Sequence, residues 1–425
     1  MAKGFGRAWC VLLSFFTLSF PITLKEAEKL ALKHFYELKV EKIEVEKRAQ
    51  ERLEKFGRFL PTLNLEASFN LSKKQSFTFN LPSLPPQEFT FQKGSYPKFT
   101  LQLVQELYDL RNFREYEIAR KREDLQKFMV REKRNEVLFK LRKAYINALK
   151  AKAVVDIYRK HEELVKAHLR DVKELYKEGI VAFKDLLETK VKLYDVREKL
   201  AKAQADYSKS LSYLSYLTGV RVDDVEPVKT ESTKLSELPE EELIGELRRN
   251  RPVLLYMKGN LELSERYVEL ARSSFYPVAV FEAVYQRTEE SDLFPKDRYL
   301  VSFAFRWNLF SGLRRFRALE LSRLAKRQAY ERYRDLEKKL ILELKSVLED
   351  IKAVRARVEL ARQQLQDAKE HLRIAREKFR AGLGTNTEVL DAQSYLITAE
   401  NTLRIGEYDL LLESFKLREV IGYER

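Results

Sequence analysis

The sequence predicts a mainly α-helical chain that carries a few β-strands of the membrane-spanning type and is built from two repeats. Three observations predict this class. Residues 175–188 (LYKEGIVAFKDLLE) and 378–391 (KFRAGLGTNTEVLD) align at a constant offset of 203 residues. Residues 98–178 and 313–381 contain neither Gly nor Pro, which favours long helices. Four short segments alternate apolar and polar residues, the pattern of strands with two unlike faces.

The repeat indicates that the chain consists of two structurally similar halves, because sequence similarity at a fixed spacing marks repeated structure. The same offset aligns Gly179 with Gly382, Asp185 with Glu388, and Glu188 with Asp391. The predicted boundaries are residues 20–226 for the first repeat, 227–239 for a linker that contains Pro, Ser and Thr, and 240–425 for the second repeat.

The first 19 residues are predicted to be a secretory signal peptide. Lys3 and Arg7 precede a mostly apolar run, AWCVLLSFFTLSF at 8–20, which is too short to cross a membrane as a helix. An uncleaved signal anchor is the alternative. Cleavage would remove Cys10, the only cysteine, and leave the mature chain without thiol chemistry.

The composition favours long amphipathic helices over one large spherical core. Only 13 Gly and 11 Pro occur in 425 residues, and charged residues make up 34% of the chain. The net charge of +15 alone would fit a nucleic-acid partner. However, the basic residues alternate with Glu along the helices and form no basic face with interleaved aromatic residues. We therefore predict no nucleic-acid partner.

No catalytic, cofactor or metal site is predicted. The four histidines are scattered without an adjoining Cys or acid at metal-ligand spacing, at positions His34, His161, His168 and His371. The sequence contains no phosphate-binding Gly-rich loop and no nucleophile motif. His161 and His168 are predicted to lie on a solvated helix face.

In the first repeat we predict one helix over Leu24–Gly57, a β-hairpin over residues 62–107 and two long helices that meet at a turn near 179–183. The hairpin contains two strands joined by a loop rich in Pro and Ser. Its first strand, TLNLEASFNLS at 62–72, alternates strictly between apolar and polar residues. The following helix is expected to span about 70 residues, roughly 100 Å.

The second repeat has the same order. A helix over 240–274 is interrupted at RNRPVL, a hairpin follows at 278–309, and two long helices meet at a turn near 382–387. Apolar residues then recur at spacings of three and four, which predicts a coiled-coil seam. The seam residues are Leu344, Val347, Ile351, Val354, Val358, Ala361, Leu365, Ala368, Leu372, Ala375 and Phe379.

The four strands have the length of tilted membrane-spanning strands. A sheet in a bilayer must close, because unpaired backbone groups there cost several kcal/mol each. Four strands are too few to close, so several chains would have to pool their strands. The alternative is a small soluble sheet packed on the helices.

The order of helix, hairpin and long broken helix occurs twice, with LPTLNLEASF entering one hairpin and WNLFSGLRR leaving the other. This pattern resembles the TolC-like outer-membrane efflux proteins over essentially the whole mature chain. The resemblance implies a trimer with one twelve-stranded barrel in the outer-membrane lipid and a helical tunnel through the periplasm. It also implies a passive exit duct of an efflux or type I secretion system, with a periplasmic adaptor protein and an inner-membrane transporter as partners.

The resemblance further implies that the two helical turns form the periplasmic entrance and the adaptor-docking surface, through Gly179, Gly382, Leu383 and Gly384. By this resemblance Glu388 and Asp391 ring the entrance, and Asp185, with Glu188 on the same helix face, belongs to a network that holds it shut. Phe379 stands where the family has a gate tyrosine, and Gly384 where it has a gate arginine. The alternative is that the acids only stabilise the first turns of their helices.

Two other classes remain open from the sequence. A periplasmic adaptor also has a signal peptide and a helical hairpin, and a soluble helical scaffold would explain the helices. Basic residues also crowd the helix ends beside the strands, among them Arg52, Arg58 and Arg114. They could face lipid phosphates, or they could belong to a solvated helix surface.

Overall fold

A computed structural model describes residues 21–423, apart from 81, 83, 229–234, 236 and 237. The predicted signal peptide and most of the predicted linker lie outside the described residues. The same succession of elements occurs in both repeats. Each repeat has two shorter helices, then a pair of long sheet strands, and then two long helices.

In the part of the chain that the structure describes, each repeat contains four helices. The first repeat contains α1 (Leu24–His34), α2 (Tyr36–Gly57), α3 (Leu110–Lys177) and α4 (Phe183–Thr218). The second contains α5 (Glu240–Asn250), α6 (Pro252–Ser273), α7 (Arg314–Arg380) and α8 (Asn386–Ile421). The long helices match between the repeats, with 68 and 36 residues in α3 and α4 and 67 and 36 residues in α7 and α8.

The prediction of one helix over Leu24–Gly57 is wrong. Phe35 has an extended backbone conformation (φ −68°, ψ 116°) that separates α1 from α2. Its ring packs against the core formed by α1, α3, α4 and α8 and lies 5.1 Å from the Lys140 ammonium. This break depends on contacts with distant segments, because no Gly or Pro marks it. The break between α5 and α6, in contrast, falls at Arg251, directly before Pro252.

The described residues form six strands, whereas the sequence predicts four. The long strands are β1 (Thr62–Leu71), β4 (Ser95–Tyr108), β5 (Val278–Thr288) and β6 (Asp297–Arg306). The segment predicted as a loop between the first two strands contains a further antiparallel pair, β2 (Gln75–Phe79) and β3 (Gln87–Gln92). Alternating phenylalanines build this small sheet, since the Phe77 ring stacks at 5.4 Å on Phe89 and at 4.9 Å on Phe91. The prolines that suggested a loop lie only in its turn.

The long strands form one antiparallel sheet in the order β1-β4-β5-β6. The two hairpins come from different repeats and join through β4 and β5, where Leu103 pairs with Ala283. Among the described residues, each of the outer strands, β1 and β6, therefore has a strand neighbour on one side only.

One face of this sheet is apolar and exposed. In β6, Tyr299 is 86% exposed and Phe303 is 75% exposed. In β1, Leu65 and Phe69 are also exposed. The described part of the same chain therefore leaves this face uncovered.

The chain divides into two compact units. One contains the described residues up to Leu38, Arg134–Leu247 and Leu342 onwards, and the other contains Lys39–Lys133 and Arg248–Ile341. The first unit holds the helical core around Tyr145, whose hydroxyl donates to the Ile22 carbonyl at 2.7 Å. The second unit holds the sheets and a smaller helical cluster that includes Leu125 and Leu263.

The seam positions on α7 are buried as the spacing predicts. Nine of the eleven predicted residues are buried, and Val354 and Leu365 are half-buried. Near the end of α7, Leu372, Ala375 and Phe379 pack with Val389 and Leu396 of α8 in one apolar cluster. None of the helices among the described residues combines the length and apolar character needed to cross a bilayer.

We expect Leu372→Ala to lower the free energy of unfolding by about 2–5 kcal/mol, the usual range for a leucine removed from a packed core. Leu372 is 5% exposed. The matched control is Leu360→Ala on the same helix, because Leu360 is 59% exposed and this change should shift the free energy of unfolding by less than about 0.5 kcal/mol. Urea unfolding of detergent-solubilised protein, followed by helical circular dichroism, measures both. Equal shifts would show that the seam is misassigned.

Candidate functional site

The two helical turns are closed by equivalent backbone hydrogen bonds, and the second turn has one more, from the Gly384 N–H to the Lys378 carbonyl. At the end of α7, the Leu383 N–H donates to the Lys378 carbonyl at 2.8 Å, and Gly382 has φ 71°. At the end of α3, the Ile180 N–H donates to the Leu175 carbonyl at 2.9 Å, and Gly179 has φ 76°. These bonds satisfy carbonyl groups of the last helical turn that would otherwise lack a partner. The left-handed backbone conformation at the turn favours glycine. The side chains of Leu383 and Ile180 remain exposed.

Two of the predicted entrance acids cap the helices that follow the turns. The Ala182 N–H donates to Asp185 Oδ2 at 3.0 Å. In the second turn, the Glu388 N–H donates to Thr385 Oγ1 at 3.2 Å and the Thr385 N–H donates to Glu388 Oε2 at 3.4 Å, which forms a capping box. Both carboxylates thus accept backbone N–H groups that lack a partner within the helix. Their position near the positive end of the helix dipole is also favourable.

Gly384 has no room for a side chain. A Cβ atom there would lie 2.9 Å from Lys378 Cβ and 3.1 Å from Glu388 Oε2. The compact turn and its capping box therefore occupy the space that an arginine would need.

Phe379 is buried in the apolar cluster between α7 and α8. Its ring stands edge-on to the His168 ring, with the centroids 5.3 Å apart. In the described chain Phe379 is therefore a core residue, and its ring is not presented at the surface of the turn.

The remaining two acids lie one turn further along α4 and α8, beside a surface groove of about 590 Å³. Glu188 Oε1 lies 3.4 Å from Lys184 Nζ, and its Oε2 accepts a hydrogen bond of 3.5 Å from Thr387 Oγ1. Asp391 is exposed and has no hydrogen bond or ion pair with the described residues. The groove also exposes the apolar side chains of Leu187 and Val191.

The prediction that His161 and His168 lie on a solvated face is wrong, because they are 1% and 4% exposed. His161 Nε2 lies 3.0 Å from Glu400 Oε2, and His168 Nε2 lies 2.9 Å from Asn386 Oδ1. The spacing contained the signal, since positions 161, 165, 168 and 172 follow one apolar stripe whose other members are the buried Val165 and Val172.

His168, Thr189 and Asn386 form a buried polar cluster that the sequence reasoning missed. Thr189 Oγ1 lies 2.8 Å from the Asp185 carbonyl oxygen and 3.1 Å from Asn386 Oδ1. Asn386 Nδ2 donates to the Asp185 carbonyl at 3.1 Å. Burial holds the pKa of His168 below its ordinary value, although the hydrogen bond to Asn386 opposes that shift. By contrast, the hydrogen bond to His161 lowers the pKa of Glu400 against the effect of burial.

Several basic residues beside the strands have acidic partners within the chain. Arg52 Nε lies 2.7 Å from Glu123, and Arg58 Nη1 lies 2.6 Å from Glu115. Arg114 Nη1 contacts Glu117 at 2.8 Å, and also Glu269. These pairs favour an ion-paired helix surface over binding of lipid phosphates at these three arginines.

Similarity to solved structures supports the fold. The chain is 16% identical to CusC, described for folding and transmembrane channel formation, with a TM-score of 0.80 and 99% of each chain covered. It is 17% identical to the outer membrane protein VceC of Vibrio cholerae, with a TM-score of 0.77, and 94% of this chain and 97% of VceC are covered. The MtrE outer membrane channel of Neisseria gonorrhoeae is 14% identical, with a TM-score of 0.75 and coverage of 95% and 90%. No curated protein sequence matches the chain.

The family comparison covers both repeats. The model of the family described as outer membrane efflux protein matches residues 29–220 and 243–423. These two segments include all four long helices and all six strands. The match confirms the predicted efflux function and outer-membrane localisation, and it gives no support to the adaptor or scaffold alternatives. The chain belongs to the outer membrane efflux protein family.

Proposed function

We propose that three copies of this chain form the exit duct of a tripartite efflux or type I secretion system. Their pooled strands close a twelve-stranded barrel in the outer membrane, and their helices line a periplasmic tunnel. An inner-membrane transporter supplies the cargo, and a periplasmic adaptor docks at the helical turns. The duct conducts passively, so the proposal assigns no catalytic residue and no cofactor to the chain.

The observation that carries this proposal is the open four-stranded sheet with an exposed apolar face. β1 and β6 each have one edge without a strand neighbour among the described residues. In a bilayer such an edge leaves backbone N–H and C=O groups without partners, at a cost of several kcal/mol each. Pairing β6 of one copy with β1 of the next satisfies both edges at once.

The apolar face supports a lipid-facing orientation. Tyr299, Phe303 and Phe305 are exposed along one side of β6, as are Leu63 and Leu65 along one side of β1. Water would disfavour such a face, whereas the hydrocarbon core of a bilayer would cover it. The opposite side of the sheet carries polar residues, including the Gln102–Glu282 hydrogen bond of 2.6 Å, which suits a water-filled interior.

The helical turns support the proposed entrance. They expose Leu383 and Ile180 on compact, glycine-closed loops, which offers an adaptor an apolar contact on a rigid support. Among the four acids, Asp391 is the strongest candidate for an acidic ring, because its carboxylate is exposed and neither caps a helix nor pairs with a described residue. Three-fold assembly would bring three such carboxylates together and attract cations.

The assembly can be tested by disulfide cross-linking between β1 and β6. Ser302→Cys is combined in turn with cysteine at positions 64, 66, 68 and 70 on the polar face of β1. We expect one combination to give cross-linked dimers and trimers on denaturing gels. Within one chain, β1 and β6 are three strands apart, roughly 14 Å, which a disulfide cannot bridge.

The single variant Ser302→Cys is the control and should give at most a dimer. Absence of cross-links between copies at all four positions, in protein that still folds and inserts, would contradict the pooled barrel. A monomer that conducts current in a planar bilayer would also contradict it.

The acidic entrance can be tested with two matched neutral variants. We expect Asp391→Asn to weaken block of channel current by Mg²⁺ or La³⁺ added on the turn side by at least about tenfold, or about 1.4 kcal/mol of binding free energy. Glu388→Gln also removes one charge per copy, but this carboxylate is directed at the backbone of its own helix and Gln preserves the capping box.

Glu388→Gln should therefore change the block much less than Asp391→Asn. Both variants should remain trimeric, as measured by light scattering in detergent. Equal block in the wild type and Asp391→Asn would show that Asp391 does not line the conducting path.

A further inference from the structure

The hydrogen-bond directions in the buried cluster of His168, Thr189 and Asn386 are fixed by one carbonyl group. The Asp185 carbonyl oxygen can only accept, so the Asn386 Nδ2 group must face it, at 3.1 Å. Asn386 Oδ1 must then face His168, at 2.9 Å. His168 Nε2 therefore carries a hydrogen, and the ring is neutral when Nδ1 carries none.

This cluster joins all four helices that meet near the turns. His168 belongs to α3, Thr189 and the Asp185 carbonyl to α4, and Asn386 is the first residue of α8. The fourth helix, α7, contributes the Phe379 ring that stands against the His168 imidazole.

The charged groups around His168 do not favour protonation of its neutral ring to the imidazolium cation. Its own helix contributes Asp171, and α7 contributes Arg376 and Arg380. Asp171 is already paired with Arg380 at 3.2 Å. The His168 imidazole contacts the neutral Asn386 amide of α8, which is itself contacted by the neutral Thr189 of α4. A protonated His168 would therefore be a buried cation near two arginines.

His161 shows the opposite arrangement one heptad earlier. It faces the Glu400 carboxylate at 3.0 Å, which can accept a hydrogen bond from either the neutral or the charged imidazole. His168 faces the neutral Asn386 amide instead. A proton on His168 would therefore place a buried charge against an amide.

We propose that His168, Thr189 and Asn386 form an acid-sensitive latch that holds the helical turns together at neutral pH and loosens them when His168 takes up a proton. The second repeat does not duplicate the latch. At the repeat-equivalent positions stand His371, Ala392 and Phe183, and His371 lies beside the exposed Tyr395 ring instead of an amide.

The direction of the pH effect follows from the lowered pKa of His168. The locally opened state takes up a proton near the ordinary histidine value of about 6.5, and the closed state does so only at lower pH. The contribution of His168 to stability is therefore complete above about pH 6.5 and is lost as the pH falls toward the lowered pKa. One unit below 6.5, the population of the open state should rise by up to about tenfold.

Hydrogen–deuterium exchange of the full-length protein in detergent tests this latch. Exchange is compared at pH 7.5 and pH 5.5, with exposure times scaled for the chemical rate. We expect peptides covering residues 165–172 and 386–396 to open up to about tenfold more at pH 5.5. A peptide covering the buried core residues 141–149 serves as the internal reference and should not change.

His168→Gln should abolish the acid response, since glutamine retains an N–H donor but does not titrate. His371→Gln is the matched control at the repeat-equivalent position, and it should retain the full response. Asn386→Asp provides a second test that keeps His168, because a carboxylate facing the imidazole would stabilise its protonated form. In that variant the turns should become tighter as the pH falls.

An acid response that persists in His168→Gln would overturn the latch, as would wild-type turn peptides that show no pH dependence. If His168→Gln fails to fold, Asn386→Asp decides the question, because an unchanged acid response there would also overturn it. The latch is a property of the folded chain and does not depend on the proposed conduction path. Its failure would leave the cross-linking and cation-block results unaffected.

Discussion

The two unsatisfied edges of the four-stranded sheet are the constraint on which the rest of the molecule depends. Both hairpins are needed to build the sheet, since β4 of the first repeat pairs with β5 of the second. After its first pair of long helices the chain must therefore come back to the sheet. The second repeat does this by adding β5 beside β4. As a result, α3 and α7 each begin after a sheet strand and end at a glycine turn.

The two repeats have the same order of helices and strands, but they differ in the side chains at and near their glycine turns. Both turns use a left-handed glycine and an acid that caps the next helix. Only the second has a full capping box with Thr385. Among the four long helices, only α3 contributes buried histidines, His161 and His168, and both contact α8 of the other repeat.

Patterns that depend on local chemistry could be predicted from the sequence, and those that depend on distant contacts could not. The apolar spacing on α7 identified the buried residues from Leu344 to Phe379, and the glycines marked both turns. The break at Phe35 and the burial of His168 depend on partners more than 100 residues away. The β2–β3 pair was missed because the prolines of its turn outweighed the alternating phenylalanines. At the site, the capping geometry distinguished Glu388 from Asp391, which look alike in the sequence.

The pairing of β4 with β5 also affects the order in which the chain can fold. Partners such as Leu101 and Tyr285 are separated in the chain by all four of the helices α3 to α6. The central contacts of the sheet therefore have high contact order. Helices can form early from neighbouring residues, but the sheet must wait until the second repeat has been synthesised. During that interval β4 lacks its β5 partner, and an unpaired apolar strand edge favours aggregation.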